Sequence, residues 1–157
     1  MYASKYDMRF VGLRFFTVYG PYGRPDMAYY LFTKAIQESK QIKLFNSGKM
    51  SRDMTYIDDV VNGIIKTKEY IFNKKTKIKH TIFNIGNEKP VKNSELLRVL
   101  ENNMNKKANI INMSNEMNES LNTCADLSYA KKILGYNPEV KLEEGITEFL
   151  DWYKSYE

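Results

Sequence analysis

The 157-residue chain has little of the chemistry that marks disulfide frameworks and metal sites. Its one cysteine, Cys124, excludes an intrachain disulfide and suits a reducing compartment. Its one histidine, His80, argues against a histidine-based metal cluster. No apolar run approaches the roughly 18 residues that a membrane span needs, and the opening MYASKYDMRF has no apolar signal core. We therefore expect a cytoplasmic protein with neither a metal nor a membrane partner.

A glycine-rich strand-to-helix turn of the dinucleotide-binding or P-loop type is also absent from the sequence. The chain opens almost directly on a strand, which would be a poor first element for a free-standing nucleotide-binding sheet. We therefore expect a nucleotide-binding segment to precede these residues.

The formal charge of +5 invites a nucleic-acid interpretation, but the basic residues do not form a patch in the sequence. They are scattered, or they lie in a lysine-rich stretch over residues 73–80 that is typical of a solvated loop. Zinc-finger, RNA-recognition and helix-turn-helix signatures are missing. We expect no nucleic-acid partner.

Strand and helix patterns alternate along the chain, which predicts an α/β protein. Alternating or β-branched runs predict strands over residues 8–16, 41–45, 80–86 and 109–113. Helical spacing predicts helices over residues 27–39, 57–72, 93–104 and 127–134, followed by a terminal helix. Asp26 and Asp126 are the expected caps of the helices that follow them. Two apolar stripes should face the core: Ile57, Val60, Val61, Ile64 and Ile65, and then Ile146, Phe149, Leu150 and Tyr153.

The stretch LRFFTVYGPYGRPD, residues 13–26, runs from an apolar strand into a loop of two glycines and two prolines that carries Arg24. With the block KLFNSGKMSRDMTYIDDVVNGI, it closely resembles the extended short-chain dehydrogenase/reductase family of sugar-nucleotide enzymes, and within it the UDP-glucuronate 4-epimerases. FNIGN, ADLSYAKKILGYNP and LEEGITEFLDWY extend the resemblance to the C-terminus. It covers essentially the whole chain but only the C-terminal half of such an enzyme.

The resemblance implies the C-terminal portion of a Rossmann-type enzyme. Residues 1–157 would form one incomplete unit: the last strands of the nucleotide-binding sheet plus the substrate-binding subdomain. The implied reaction inverts C4 of a UDP-sugar, UDP-glucuronate to UDP-galacturonate, through a 4-keto intermediate. The cofactor NAD would be held mainly by the missing N-terminal half, on the same or a separate chain. The complete protein is expected to be a homo-oligomer.

The family's register assigns two residues to the sugar carboxylate, Thr17 and Arg24. A guanidinium suits this task because it grips a carboxylate bidentately with a charge that pH does not remove. Phe16 falls beside the nicotinamide, although its type alone predicts a core position. For Arg24 the alternative is an exposed loop residue without a partner.

Two further residues match the nucleotide-binding positions of the family. Phe45 would pack against uracil, or it could simply end a strand in the core. Arg52 would face the diphosphate, and the alternative is a salt bridge to Asp53 or Asp58. Asp58 and Asp59 are expected to complement a helix dipole rather than to act as acid and base.

Two departures from the family pattern bear on activity. The family's catalytic tyrosine and lysine lie four residues apart, whereas Tyr2 and Lys5 lie three apart and fall at the wrong register, so we interpret them as a decoy. Glu116 falls near a polar nucleotide-binding position, where a carboxylate would repel diphosphate. We expect no catalytic residue in this chain and no turnover by the chain alone.

Three interpretations of the parent protein stay open: a UDP-glucuronate 4-epimerase, a related enzyme such as a UDP-glucose 4-epimerase or a nucleotide-sugar 4,6-dehydratase, and a non-catalytic sugar-nucleotide-binding remnant.

Overall fold

The computed structural model describes residues 5–6, 8–73, 79–114 and 121–156. The strands of this part of the chain are β1 (Phe10–Phe15), β2 (Thr17–Tyr19), β3 (Gln41–Phe45), β4 (Ser51–Tyr56), β5 (His80–Ile85), β6 (Pro90–Lys92) and β7 (Asn109–Met113). The helices are α1 (Ala28–Gln37), α2 (Ile57–Phe72), α3 (Asn93–Met104), α4 (Ser128–Leu134) and α5 (Leu142–Tyr156). Among these helices, none is long and apolar enough to cross a membrane.

The described strands pair mostly in parallel. β1 lies beside β5, with Phe10 opposite His80 and Phe15 opposite Ile85. β2 pairs in parallel with β4, β6 adds to β4 in the antiparallel sense, and β3 pairs in parallel with β7. Parallel strands joined by helices confirm the predicted α/β class.

An aromatic-rich core joins α1, α3 and α5 behind the Gly/Pro loop. Every member of the predicted α5 stripe is buried, from Ile146 to Tyr153. Phe149 meets Tyr29 of α1 edge to face, with ring centroids 4.9 Å apart. Such pairs add roughly 0.5–1.5 kcal/mol beyond area burial. The terminal helix therefore supports the start of α1, where the candidate site begins.

Helix α2 has the predicted bounds, but part of its predicted apolar stripe is not buried. Val60 is buried, but Val61, Ile64 and Ile65 are 42–50% exposed. The face of α2 that packs on β5 is instead the one carrying Gly63, where an added Cβ would lie 3.0 Å from Ile85. The hydrophobic spacing predicted the helix correctly, but it did not show which face of the helix is buried.

Neither predicted cap is the N-cap residue of its helix. The N-cap of α4 is Leu127, although Asp126 accepts the Ser128 amide at 2.9 Å from the position before it. The N-cap of α1 is Met27, and among the described residues no side chain caps this helix. The Asp26 carboxylate is engaged by Arg24 instead.

Candidate functional site

The loop over residues 20–26 connects β2 to α1 in a tightly constrained conformation. Gly20 has φ 136° and Tyr22 has φ 57°, both outside the usual range for L-residues. The Tyr22 ring lies 5.2 Å from the Trp152 ring of α5. Beneath the loop, a Cβ added to Gly23 would lie only 1.7 Å from Tyr29 Oη. The loop is therefore held between the Trp152 ring of α5 and the Tyr29 side chain of α1.

Arg24 projects from this loop and forms a two-pronged ion pair with Asp26. Arg24 Nε donates to Asp26 Oδ1 at 3.1 Å, and Nη2 donates to Oδ2 at 2.5 Å. The side chains are 75% and 61% exposed, so neither is committed to the core. The hydrogen bond raises the pKa of Arg24 and lowers that of Asp26, so both groups are charged at neutral pH.

Arg24 lines a cleft of about 370 Å³, here called the Arg24 cleft. Its wall is largely apolar and includes Phe16, which is half-buried at the end of β1. The remaining wall comes from the loop, β2 and the start of α2, including Val18, Tyr19, Gly20 and Ile57. Apolar side chains and one guanidinium therefore line the same cleft.

Thr17, Phe45 and Arg52 line a second cleft of about 440 Å³, here called the Arg52 cleft. Asp26 also lines it, so the Arg24–Asp26 pair spans the boundary between the two clefts. Strand alternation separates Thr17 from its neighbours, because Phe16 and Val18 line the Arg24 cleft.

Met27 and Tyr29 line both clefts and form their common wall. Thr17 and Arg24 thus lie on opposite sides of this wall rather than in one pocket. A carboxylate bound by both would have to lie at the boundary. The Tyr29 side chain is 1% exposed, its hydroxyl is buried beneath Gly23 without a hydrogen-bond partner among the described residues, and burial raises its pKa to about 12. The hydroxyl is therefore neutral at physiological pH, and no motif in the sequence indicated it.

Arg52 lies in β4 next to a buried carboxylate that ties this strand to two other segments. Asp53 is fully buried and accepts the amides of Asn87 at 2.7 Å, Glu88 at 2.9 Å and Ala125 at 2.7 Å. Its oxygens are therefore occupied by backbone donors from two other segments. Arg52 itself donates from Nη1 to the Ser51 carbonyl at 3.0 Å and remains half-buried at the cleft wall.

Asp59 has a structural role that the sequence did not indicate. It is buried and accepts the amides of Glu139 and Val140, each at 3.1 Å. This contact ties the start of α2 to the segment before α5. Its partner in sequence, Asp58, is exposed at the first turn of α2, where a carboxylate complements the helix dipole.

Other sequence candidates contribute less to the described site. Tyr2 and Glu116 lie outside the described residues. Lys5 Nζ lies 5.2 Å from the ring centroid of Tyr6. In the part of the chain that the structure describes, no three His, Cys, Asp or Glu side chains gather as a metal-binding group.

A family model and two curated relatives match this chain. Residues 1–86 match the model of the NAD dependent epimerase/dehydratase family. The chain is 45% identical over 153 residues to the protein MJ1055 of Methanocaldococcus jannaschii, covering 98% of this chain and 45% of that protein. It is 42% identical over 167 residues to UDP-glucuronate 4-epimerase 4 of Arabidopsis thaliana, covering 99% of this chain and 38% of that enzyme.

A solved structure shares both fold and sequence. The UDP-glucuronic acid 4-epimerase of Bacillus cereus, in complex with UDP-glucuronic acid and NAD, matches with a TM-score of 0.88 and 34% identity. The match covers 99% of this chain and 48% of that one. The chain thus spans about half the length or less of these relatives.

The parallel strands joined by helices, together with the match to that structure, define a Rossmann-type α/β fold. The chain belongs to the NAD dependent epimerase/dehydratase family. The resemblance to UDP-glucuronate 4-epimerases that the sequence suggested is confirmed.

Gly23→Ala is expected to disturb the site from within. The new Cβ would collide with Tyr29 Oη and would approach the Gly20 carbonyl to 2.9 Å. Because the Tyr29 ring is buried and cannot swing away, the loop must move, at about 1–3 kcal/mol in the free energy of unfolding. Urea denaturation measures this loss. Gly12→Ala is the matched control, since its Cβ would meet Ile82 at an ordinary 3.4 Å. Equal effects of the two substitutions would contradict the expectation.

Proposed function

We propose that this chain is the substrate-binding portion of an NAD-dependent epimerase that inverts C4 of UDP-glucuronate to give UDP-galacturonate. The observation that supports it best is the adjacency of the two clefts. Phe16 and Arg24 line one cleft, and Thr17, Phe45 and Arg52 line the other. Each cleft falls within the roughly 300–1,000 Å³ typical of small-molecule sites. One sugar nucleotide would extend across the shared wall.

The chemistry of the two clefts suits the two ends of this substrate. In the Arg52 cleft, Phe45 would pack on uracil and Arg52 would face the diphosphate, where a fixed cation meets two negative phosphates. At the boundary, Arg24 would hold the hexuronate carboxylate. Oxidation at C4 turns glucuronate into a β-keto acid that readily loses carbon dioxide, so an enzyme that only epimerises must keep this carboxylate immobile. Bidentate binding by a guanidinium supplies that restraint.

The residues of this chain fit only one edge of an NAD site. Phe16 and Phe15 offer an apolar surface at the end of β1 on which a nicotinamide ring would pack. The glycine-rich turn that holds a dinucleotide pyrophosphate is absent from the sequence. When bound, NAD would supply a hydride acceptor for C4 and return the hydride to the other face. We propose that the other half of the protein holds most of it.

An N-terminal half would also cover the apolar surface that this chain exposes. Within the described residues, β1 pairs with β5 on one edge only. Phe15 and the α2 residues Val61, Ile64 and Ile65 are 42–50% exposed beside it. An open parallel edge flanked by apolar side chains is suited to accept another strand and its helix. We propose that residues 1–157 combine the last strands of the nucleotide-binding sheet with the substrate subdomain.

Calorimetric titration of the chain with UDP, UDP-glucose and UDP-glucuronate tests the proposed ligand. We expect saturable binding of all three, with UDP-glucuronate tightest because only it offers a carboxylate to Arg24. A preference for UDP-glucose would favour a neutral-sugar parent enzyme. Absence of binding to all three would contradict the proposal.

The chain alone is expected to show no conversion of UDP-glucuronate with added NAD. It carries neither the glycine-rich turn nor a tyrosine and lysine at the catalytic register. Chromatography of the UDP-sugars after incubation measures this. Coexpression with an N-terminal half that carries both features should restore turnover. Conversion by the chain alone would contradict the proposal that the cofactor site and the catalytic residues lie in that other half.

A further inference from the structure

We infer that Asp26 is an internal competitor of the substrate carboxylate: it occupies Arg24 in the absence of ligand and gives it up when an acidic sugar binds. This inference rests on the proposed function and adds a specificity-determining residue to it. Asp26 grips Arg24 with both oxygens, at 3.1 and 2.5 Å. This is the two-pronged geometry in which Arg24 would hold a hexuronate.

The position of the pair makes an exchange of carboxylates possible. Arg24 lines one cleft and Asp26 lines the other, so the ion pair lies at the boundary that a bound sugar would cross. Both side chains are more than half exposed. Exposed ion pairs are weak, because water screens both charges. Asp26 is held near Arg24 by the chain, and the sugar carboxylate would be held there by the rest of the bound nucleotide, so the two carboxylates can compete for one guanidinium.

The released Asp26 carboxylate has a favourable second environment. It directly precedes the N-cap of α1, a ten-residue helix whose first turn has no acidic residue and no side-chain cap. The positive end of the helix dipole stabilises a carboxylate at this point. Exchange therefore moves Asp26 from one cationic environment to another. A neutral sugar offers no carboxylate, and it leaves the Arg24–Asp26 pair intact.

Asp26→Asn tests this exchange by removing the competitor and keeping the shape. We expect the affinity for UDP-glucuronate to rise about two- to fivefold relative to UDP and UDP-glucose, the range that the strength of an exposed ion pair allows. Asp26→Glu, which keeps the charge, should retain the ratio of the unchanged protein. Glu38→Gln is the matched control, because Glu38 forms an exposed pair with Lys40, also two residues apart, at the other end of α1. It should change none of the three affinities.

The outcomes separate the possible failures. An equal gain for all three nucleotides would mean that Asp26 acts only through its charge, and an unchanged or weakened affinity would mean that it only orients Arg24; either result overturns the exchange. An unchanged protein that does not prefer UDP-glucuronate to UDP-glucose contradicts the proposed function itself. The Asp26 carboxyl ¹³C resonance gives a second measurement: it should shift when UDP-glucuronate saturates the site and stay in place with UDP-glucose.

Discussion

Arg24→Ala is expected to lower the affinity for UDP-glucuronate about 10- to 100-fold while changing that for UDP-glucose less than about twofold. Hydrogen bonds to a charged partner contribute roughly 1.5–3 kcal/mol, and Arg24 would supply two of them to the carboxylate. Calorimetric titration of the three nucleotides measures the effect. Arg24→Lys should give an intermediate loss, because an ammonium keeps the charge but not the planar fork.

Arg52→Ala is the informative control for this prediction. If Arg52 faces the diphosphate, its loss should weaken UDP, UDP-glucose and UDP-glucuronate to a similar degree. Arg98→Ala, at an exposed position on α3, should affect none of them. A uniform effect of Arg24→Ala on all three ligands would contradict carboxylate recognition and would favour a UDP-glucose 4-epimerase or a 4,6-dehydratase as the parent.

Asp53→Asn is expected to destabilise the fold by about 3 kcal/mol or more. The carboxylate is fully buried and accepts three backbone amides, from Asn87, Glu88 and Ala125. An asparagine keeps one acceptor oxygen and turns an NH₂ group toward N–H donors, which leaves buried donors unpaired. Urea denaturation followed by circular dichroism measures the free energy of unfolding.

A matched substitution isolates the effect of burial. Asp151 forms an exposed ion pair with Lys154 on α5, at 3.2 Å. Asp151→Asn should change the free energy of unfolding by no more than about 0.5 kcal/mol, because exposed pairs contribute little. A loss below about 1 kcal/mol for Asp53→Asn would show that the amides it binds find other acceptors.

Local patterns in the sequence were sufficient to predict most elements of the fold. The apolar stripe of α5 and the strand over residues 41–45 follow from the spacing of apolar residues along the chain, which can be read directly from the sequence. The exposed side of α2 could not be predicted, because periodicity gives the direction of a face but not what covers it. The Asp26 prediction was wrong for a related reason: a cap and an ion pair compete for one carboxylate, and Arg24 wins.

Only those residues of the candidate site that belong to a sequence motif could be predicted. The resemblance supplied Arg24 and Arg52, whose assigned roles remain predictions. It did not supply Tyr29 or Asp53, because their positions follow from tertiary packing between distant segments. The division of Thr17 and Arg24 between two clefts is likewise a consequence of strand alternation combined with the fold of the loop.

The most direct test is a crystal structure of the chain with UDP-glucuronate bound. We expect the hexuronate carboxylate to lie on the Arg24 guanidinium, at the wall formed by Met27 and Tyr29, and the diphosphate to face Arg52 in the neighbouring cleft. A nucleotide bound elsewhere, or a carboxylate directed into solvent with Arg24 still paired to Asp26, would contradict the proposed role of the two clefts.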